Sequence, residues 1–333
     1  MKQQNVLFVF TLLAVLTLAS CNNFSSGWMS ASSATNEVLT IIDEKEWLEP
    51  HGRALFDVLN SPVAALPQRE ANFKILHIDP KNFTNTFKMA RNIVEVDVSS
   101  DYTQARMSAE INKYASGQVV LTIKAPDKDA MELFLKENSD KIVSYLVDKE
   151  LERIAMWLEK EKGTPKTHIK SKFGFELSYP KGLVNITEED NFFWATNNSA
   201  ESRQDVAIFS IPYTSETIFE KDSLIAIRNR VLGKHIKGSF DSQMTTATKS
   251  LDPIYRKLDI DGLFRAEIRG LWEMTTDMMG GPFVMQAFVN ENTNQVIFVD
   301  VFVYAPEKKK RNLIRNMEGA FYTIKVVEGD DDK

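Results

Sequence analysis

Between residues 262 and 304 the chain alternates apolar and polar side chains more regularly than anywhere else. Phe264, Ala266, Ile268, Gly270, Trp272 and Met274 fall on one side of an extended backbone, and Arg265, Glu267, Arg269 and Glu273 on the other. Successive side chains of a strand point to opposite faces, so this spacing predicts a long strand with one apolar and one charged face. Residues 283–289 and 296–304 continue the pattern, with the polar 290–294 as a hairpin loop, and Pro306 stops the last strand before a closing helix over 307–323. Strands joined by short loops pair antiparallel, which makes an antiparallel sheet the natural reading of this region.

The rest of the chain is organised around that sheet. Phe173, Phe175, Leu177 and Tyr179 alternate as a strand before the Pro180-Lys181-Gly182 turn, 191–195 and 205–211 read as further strands, and Leu224, Ile227, Val231 and Leu232 give 223–236 helical spacing. Upstream, Lys160-Glu161-Lys162-Gly163-Thr164-Pro165 separates two differently patterned regions and places a domain boundary. Before it, strands are expected at 37–43, 73–78, 93–98 and 119–124. Helices are expected at 44–59, with Trp47, Leu48, Leu55, Phe56 and Leu59 as the buried stripe, at 82–90, and at 127–162, capped by Asp127 and interrupted near Asn138-Ser139. Lys149, Glu150, Glu152 and Arg153 read as a solvated helix face. The expected class is α+β, two domains over 37–162 and 168–327 with mainly antiparallel sheets packed by helices.

The N-terminus carries an address. Lys2 supplies positive charge, 6–19 is a short apolar core, and Leu18-Ala19-Ser20-Cys21 is the pattern at which a bacterial lipoprotein is cleaved and acylated. Residues 1–20 are thus expected to be a signal peptide, too short in its apolar part to span a bilayer, and Cys21, the one cysteine of 333 residues, to carry lipid. Residues 21–36 are serine-rich and read as a flexible tether with a reach of roughly 20 Å; 328–333 is an acidic tail. No acidic run follows Cys21, which points to the cell envelope and the periplasmic face of the outer membrane. The chain is net acidic, −6 overall and −7 once Lys2 leaves with the signal, so it lacks the basic footprint of a nucleic-acid binder.

Trp47, Leu66-Pro67-Gln68 with Glu70 and Phe73, Arg91-Asn92-Ile93, Arg269-Gly270-Leu271-Trp272, Met279-Gly280-Gly281-Pro282-Phe283 and Tyr304-Ala305-Pro306 together resemble the Bacteroidota lipoprotein family defined as domain of unknown function 4837, over nearly the whole chain after Cys21. The resemblance implies a lipoprotein of a Gram-negative envelope and no particular chemistry. The layout of the second domain also faintly resembles Mog1-like domains and the photosystem oxygen-evolving P protein, a likeness of architecture that implies no function.

Chemistry is constrained mostly by exclusion. There is no G-x-S-x-G elbow, no phosphate loop and no G-x-G-x-x-G, and His51, His77, His168 and His235 form no metal-ligand pair. No cofactor or metal is expected. One local feature stands out: Thr275-Thr276-Asp277-Met278-Met279-Gly280-Gly281-Pro282, where glycines permit close approach and methionines adapt to apolar partners. With Arg269, Trp272 and Asp277 beside it, this is the candidate binding loop; the competing reading is a hairpin whose methionines pack into the core. The expected function is a non-enzymatic binding or scaffold lipoprotein, with the membrane held through its lipid and an envelope protein or glycan as partner, bound on the second domain or in the groove between domains. The rival is an envelope hydrolase with dispersed carboxylates or a Ser/Lys site, which requires a polar, concave pocket with convergent titratable groups.

Overall fold

The computed structural model describes residues 29–161 and 166–327. The expected signal peptide, Cys21 and the residues read as an acidic tail lie outside the described residues. The N-terminal sheet has five strands in the order β2-β1-β3-β5-β4: β1 (Glu37–Ile41), β2 (Lys74–Ile78), β3 (Asn92–Val98), β4 (Arg106–Ile111) and β5 (Val119–Ala125). Here the antiparallel expectation gives way. The pairs β1–β2, β1–β3 and β3–β5 are parallel, and β4–β5 alone is antiparallel, because the long connections after β1 and β2 return the chain to the end it started from. β4 itself had no expected counterpart. Helices α1 (Glu44–Leu48) and α2 (Pro50–Leu59) make the first crossover.

A single helix was expected over 44–59, and the backbone breaks it at Glu49, which is extended at φ −78°, ψ 168°. The residue before a proline is pushed out of the helical region, and Pro50 then opens α2 with its missing N–H at no cost. The break turns Leu48 into solvent and leaves Trp47 and Phe56 half-buried, while Leu55 and Leu59 are buried as expected, on a face of α2 that they share with His51, Ala54 and Val58. Residues 82–90 hold short 3₁₀ turns rather than an α-helix.

After β5 the helical stretch divides as expected into α3 (Lys128–Glu137) and α4 (Ser139–Lys160), with the Asp127 carboxylate accepting the Ala130 N–H at 2.8 Å. Then come α5 (Lys166–Phe173), β6 (Phe175–Glu176), β7 (Asn185–Glu189), β8 (Phe192–Thr196), β9 (Arg203–Pro212), α6 (Lys221–His235), β10 (Met244–Thr246), β11 (Ile254–Ile260), β12 (Leu263–Met274), β13 (Gly280–Asn290), β14 (Gln295–Tyr304), α7 (Arg311–Glu318) and β15 (Lys325–Val326). Phe173 therefore closes a helix rather than opening a strand. Gly174, at φ +70°, turns the chain into the short β6. The larger sheet is antiparallel throughout, β10-β12-β13-β14-β9-β8-β7, with β11 also on β12. β15 pairs with β6 as a small third sheet, and the sheets with their helices make the chain α+β.

Both faces of the large sheet are covered. Ala266, Ile268, Trp272, Phe283, Phe298 and Phe302 pack under α6, while Val284, Phe288, Ile297 and Val299 pack against Leu151, Ile154 and Leu158 of α4 and Ile314 and Met317 of α7. The N-terminal half of α4 gives Ile142 and Leu146 to the other core, that of the five-stranded sheet. One helix thus serves two cores. Where it crosses the end of α7, Gly319 lets the backbones meet, since a Cβ there would lie 2.3 Å from Ile154 Cγ2.

Polar contacts reinforce the junction. The Glu70 carboxylate accepts the backbone N–H groups of Lys310 (2.6 Å) and Arg311 (3.1 Å), capping α7 from the opposite half of the chain. This accounts for the basic Lys308–Arg311 run at a helix start: the helix dipole and the cations meet an anion brought from elsewhere. Arg315 donates to Asn36 and Asn72. The charges on α4 expected to be solvated are only partly so, because Glu150 is fully buried and accepts from Asn92 and Arg153 at 2.6 Å.

Candidate functional site

Between the two sheets lies a cleft of 1090 Å³, walled by α4 on one side and by β11, β12 and the end of α7 on the other. The period of two along β12 builds its floor. Arg265, Glu267 and Arg269 share the face opposite Trp272, and register puts Arg256 of β11 and Gln286 of β13 on either side of Glu267. Arg256 Nε donates to Glu267 Oε1 at 3.1 Å and Gln286 Nε2 to Glu267 Oε2 at 2.9 Å. Arg269 forms a two-pronged pair with Glu318, at 3.0 and 2.7 Å, with Glu267 at 3.7 Å on its other side. Arg265 donates to Gln286 (3.2 Å) and to the Phe321 carbonyl, without a carboxylate in ion-pair range among the described residues.

Charge in this row is fixed by its neighbours. Burial by itself would raise the Glu267 carboxyl, but Arg269 and Arg256 outweigh it and hold it below the usual carboxylate range. Burial opposes the charge of Arg269, and Glu318 and Glu267 more than restore it. Burial lowers Arg265 and Arg315 to about 10 each. Across the cleft, Asp148 of α4 accepts from the Tyr322 hydroxyl at 2.9 Å. The cleft walls desolvate Asp148 and raise its carboxyl although its side chain still reaches water, and Glu152 adds to the rise. The site therefore holds one carboxylate kept ionised and another moved toward its neutral form.

The sequence-derived candidates scatter over this structure. Arg269 lines the cleft. Trp272 is 2% exposed, donates its indole N–H to the Val303 carbonyl at 3.2 Å, and stacks edge-on against Phe302; it belongs to the core. Met279 packs against that same core. Gly280 and Gly281 open β13 with negative φ, so they serve close approach and not turning: a Cβ on Gly281 would lie 2.0 Å from the Val303 carbonyl oxygen. Asp277 accepts the Ser239 N–H at 2.7 Å and so ties two loops together. Met278 stands fully in solvent, and the tied loop brings Phe240, 98% exposed, to the same tip. Cys21 lies outside the described residues.

Sequence reasoning missed Asp148, Arg256, Glu318 and Tyr322. The charged face of β12 was visible, but nothing local says that α4 and α7 close over it. Among the described residues no group of three His, Cys, Asp or Glu side chains gathers into a metal site, and no helix is long and apolar enough to cross a membrane. His77 stacks on Trp47 and His235 on Phe192, while His51 is buried and His168 faces solvent beside Glu188.

Fold and site together define an α+β protein with two adjoining sheets and a polar cleft between them. Residues 162–323 match the family described as Domain of unknown function (DUF4837), and residues 31–159 match a second family, Domain of unknown function (DUF8532). The family likeness expected over nearly the whole chain is thus narrower. Trp47, Glu70, Phe73 and Arg91–Ile93 fall in the DUF8532 stretch. Among solved structures, the chain is similar to the Ran-binding protein Mog1p of Saccharomyces cerevisiae, at 7% identity and a TM-score of 0.30, over 46% of this chain and 91% of that one. No curated protein matches it.

Proposed function

We propose that this chain is a lipid-anchored protein of the bacterial cell envelope, on the periplasmic face of the outer membrane, that binds an envelope component in the cleft between its sheets. The observation that supports this reading is the state of the cleft floor. Glu267, Arg269 and Glu318 are nearly buried and satisfy one another, which preorganises the surface a ligand would meet. Lipid at Cys21 would keep the protein at the membrane, since two or three acyl chains hold a protein durably where one does not.

The hydrolase reading has one specific observation in its favour. Asp148 and Glu267 have their carboxyl groups pushed in opposite directions within one concave site, the pattern of an acid and base pair. The two readings separate by experiment. A photoreactive side chain at Ser144 or Met156, both on the cleft wall and exposed, is expected to capture one envelope component in intact cells, and Arg256→Ala to abolish the capture. Capture at Met278 with none at 144 or 156 would move the binding surface to the Phe240–Met278 tip. Capture that survives Asp148→Asn, with the protein's cellular role intact, sets the hydrolase aside.

A further inference from the structure

Part of the expected tether is not a tether. Residues 29–33 lie against the end of the five-stranded sheet, where Ser30 bridges Ser116, the Met29 carbonyl accepts the Ser116 N–H at 3.0 Å, and the Ala31 and Ser32 N–H groups donate to Ser116 (2.9 Å) and Met89 (2.8 Å). The Arg91 N–H donates to Ser33 Oγ at 3.1 Å. Serine-rich composition does not prevent this, because backbone groups pair whatever their side chains. Eight residue steps then separate Cys21 from Met29. Fully extended they reach about 28 Å, and as a coil about 16 Å. An acylated Cys21 would hold this end of the molecule, and no other, close to the bilayer.

That end carries an unusual surface. Met29 is 69% exposed, Ile111 53% and Phe87 40%, and they come from three segments fastened together. Buried Gln118 donates to the Lys88 and Ala90 carbonyls at 2.6 Å each and accepts the Tyr114 N–H at 3.0 Å, clasping the turn after Ile111 to the turn that bears Phe87. Lys88 stands 5.5 Å from the Tyr114 ring, with no carboxylate in ion-pair range among the described residues, while Lys113 beside it shares its charge with Glu110. Exposed apolar side chains and a cation with no carboxylate partner among the described residues, carried by segments tied to one another, fit the boundary between acyl chains and anionic headgroups.

We propose that this end of the sheet, through Met29, Phe87, Ile111 and Lys88, is the surface that lies on the membrane, so that the protein rests against the bilayer and does not swing from a long leash. The inference depends on lipidation of Cys21, and the test separates the two. The full chain is purified with its lipid and reconstituted into phosphatidylethanolamine and phosphatidylglycerol vesicles, bearing a nitroxide at Ile111→Cys, with Phe87→Cys as an independent position and Met278→Cys as the distant reference. Labels at 111 and 87 should gain oxygen contact and lose contact with a water-soluble nickel complex severalfold relative to 278, and Lys88→Gln should weaken the effect by about fivefold, one cation at an anionic surface. Equal nickel access at 111, 87 and 278 would overturn the membrane surface while leaving the anchor standing. A label shielded in cells but open on vesicles would assign the surface to a protein instead. Labelling of the unsubstituted chain at Cys21 would mean a free thiol, which removes the anchor itself.

Discussion

Glu70 offers the sharpest test of how the two halves are joined. It is 8% exposed and accepts two backbone donors at the start of α7, 2.6 and 3.1 Å away. Glu70→Ala removes both acceptors and leaves the Lys310 and Arg311 N–H groups unpaired beside a buried interface. A lost cap costs about 1 kcal/mol, and a buried donor without a partner costs about 1 to 3 kcal/mol. Because the carboxylate also faces the positive end of the helix dipole and two cations, about 2 to 3 kcal/mol in total is expected. Glu70→Gln keeps one acceptor oxygen and loses the charge, which should cost about 1 kcal/mol. Thermal unfolding followed by far-ultraviolet circular dichroism reads the difference. For a chain of this size the alanine variant should melt roughly 3 to 4 °C lower and the glutamine variant roughly 1.5 °C lower. An alanine variant within 1 °C of the parent, or a glutamine variant as damaged as the alanine one, would refute the claim that this carboxylate caps α7 across the junction.

Three further outcomes follow from the geometry. Asp205 is fully buried, with Arg203 and the Trp194 indole as partners, and burial raises its carboxyl to about 6. Between its ordinary 3.8 and about 6 the folded chain takes up this proton before the unfolded one does, so Asp205 adds stability as pH falls through that window, of order 3 kcal/mol once pH is below both values; urea titrations at pH 7 and pH 5 should show the first part of that gain, about 1 kcal/mol, in the parent and lose it in Asp205→Asn. Truncating one partner of the Arg269–Glu318 pair leaves a buried charge alone, so Arg269→Ala should cost about 3 to 5 kcal/mol, whereas Arg269→Met with Glu318→Leu should cost far less; comparable losses in both would show that the pair does not act as a unit. Gly281→Ala puts a methyl group against the rigid Val303 carbonyl, and the hairpin amides of β13 should lose hydrogen-exchange protection, with unchanged exchange counting against close approach as that glycine's role.

The large sheet was legible because alternation is a local signal. Every second residue of β12 reports its face, and the expected apolar and charged sides of 264–274 are the sides the structure uses. Strands of weaker alternation escaped: β11 exposes Arg256, Lys257 and Asp259 along an edge, and β4 lies at the margin of its sheet. Direction of pairing in the N-terminal sheet was not legible, since β1 and β2 read the same whichever way they run and only the length of the crossover hints at parallel order. At the site, Arg269 was visible as part of a charged strand face, but Asp148 and Tyr322 lie 174 residues apart in sequence and meet only when α4 packs over the end of α7. Trp272 and Met279 misled because an aromatic and a methionine next to glycines look alike in a recognition loop and in a core. Glu70 and the Lys308–Arg311 run are each plain in the sequence, and nothing local to either says that one answers the other.

The helix α4 divides its apolar side chains between both cores, and so the place where the two sequence families meet is not a place where the molecule comes apart. Residues 31–159 made alone would display Leu151, Ile154 and Leu158 as a greasy strip, and residues 162–323 alone would keep an empty trough of the same shape. Each half is in effect a ready-made receptor for the other. Produced as separate polypeptides in one cell, the two should reassemble without a peptide link, and a protease nick between them should leave a particle that still migrates as one.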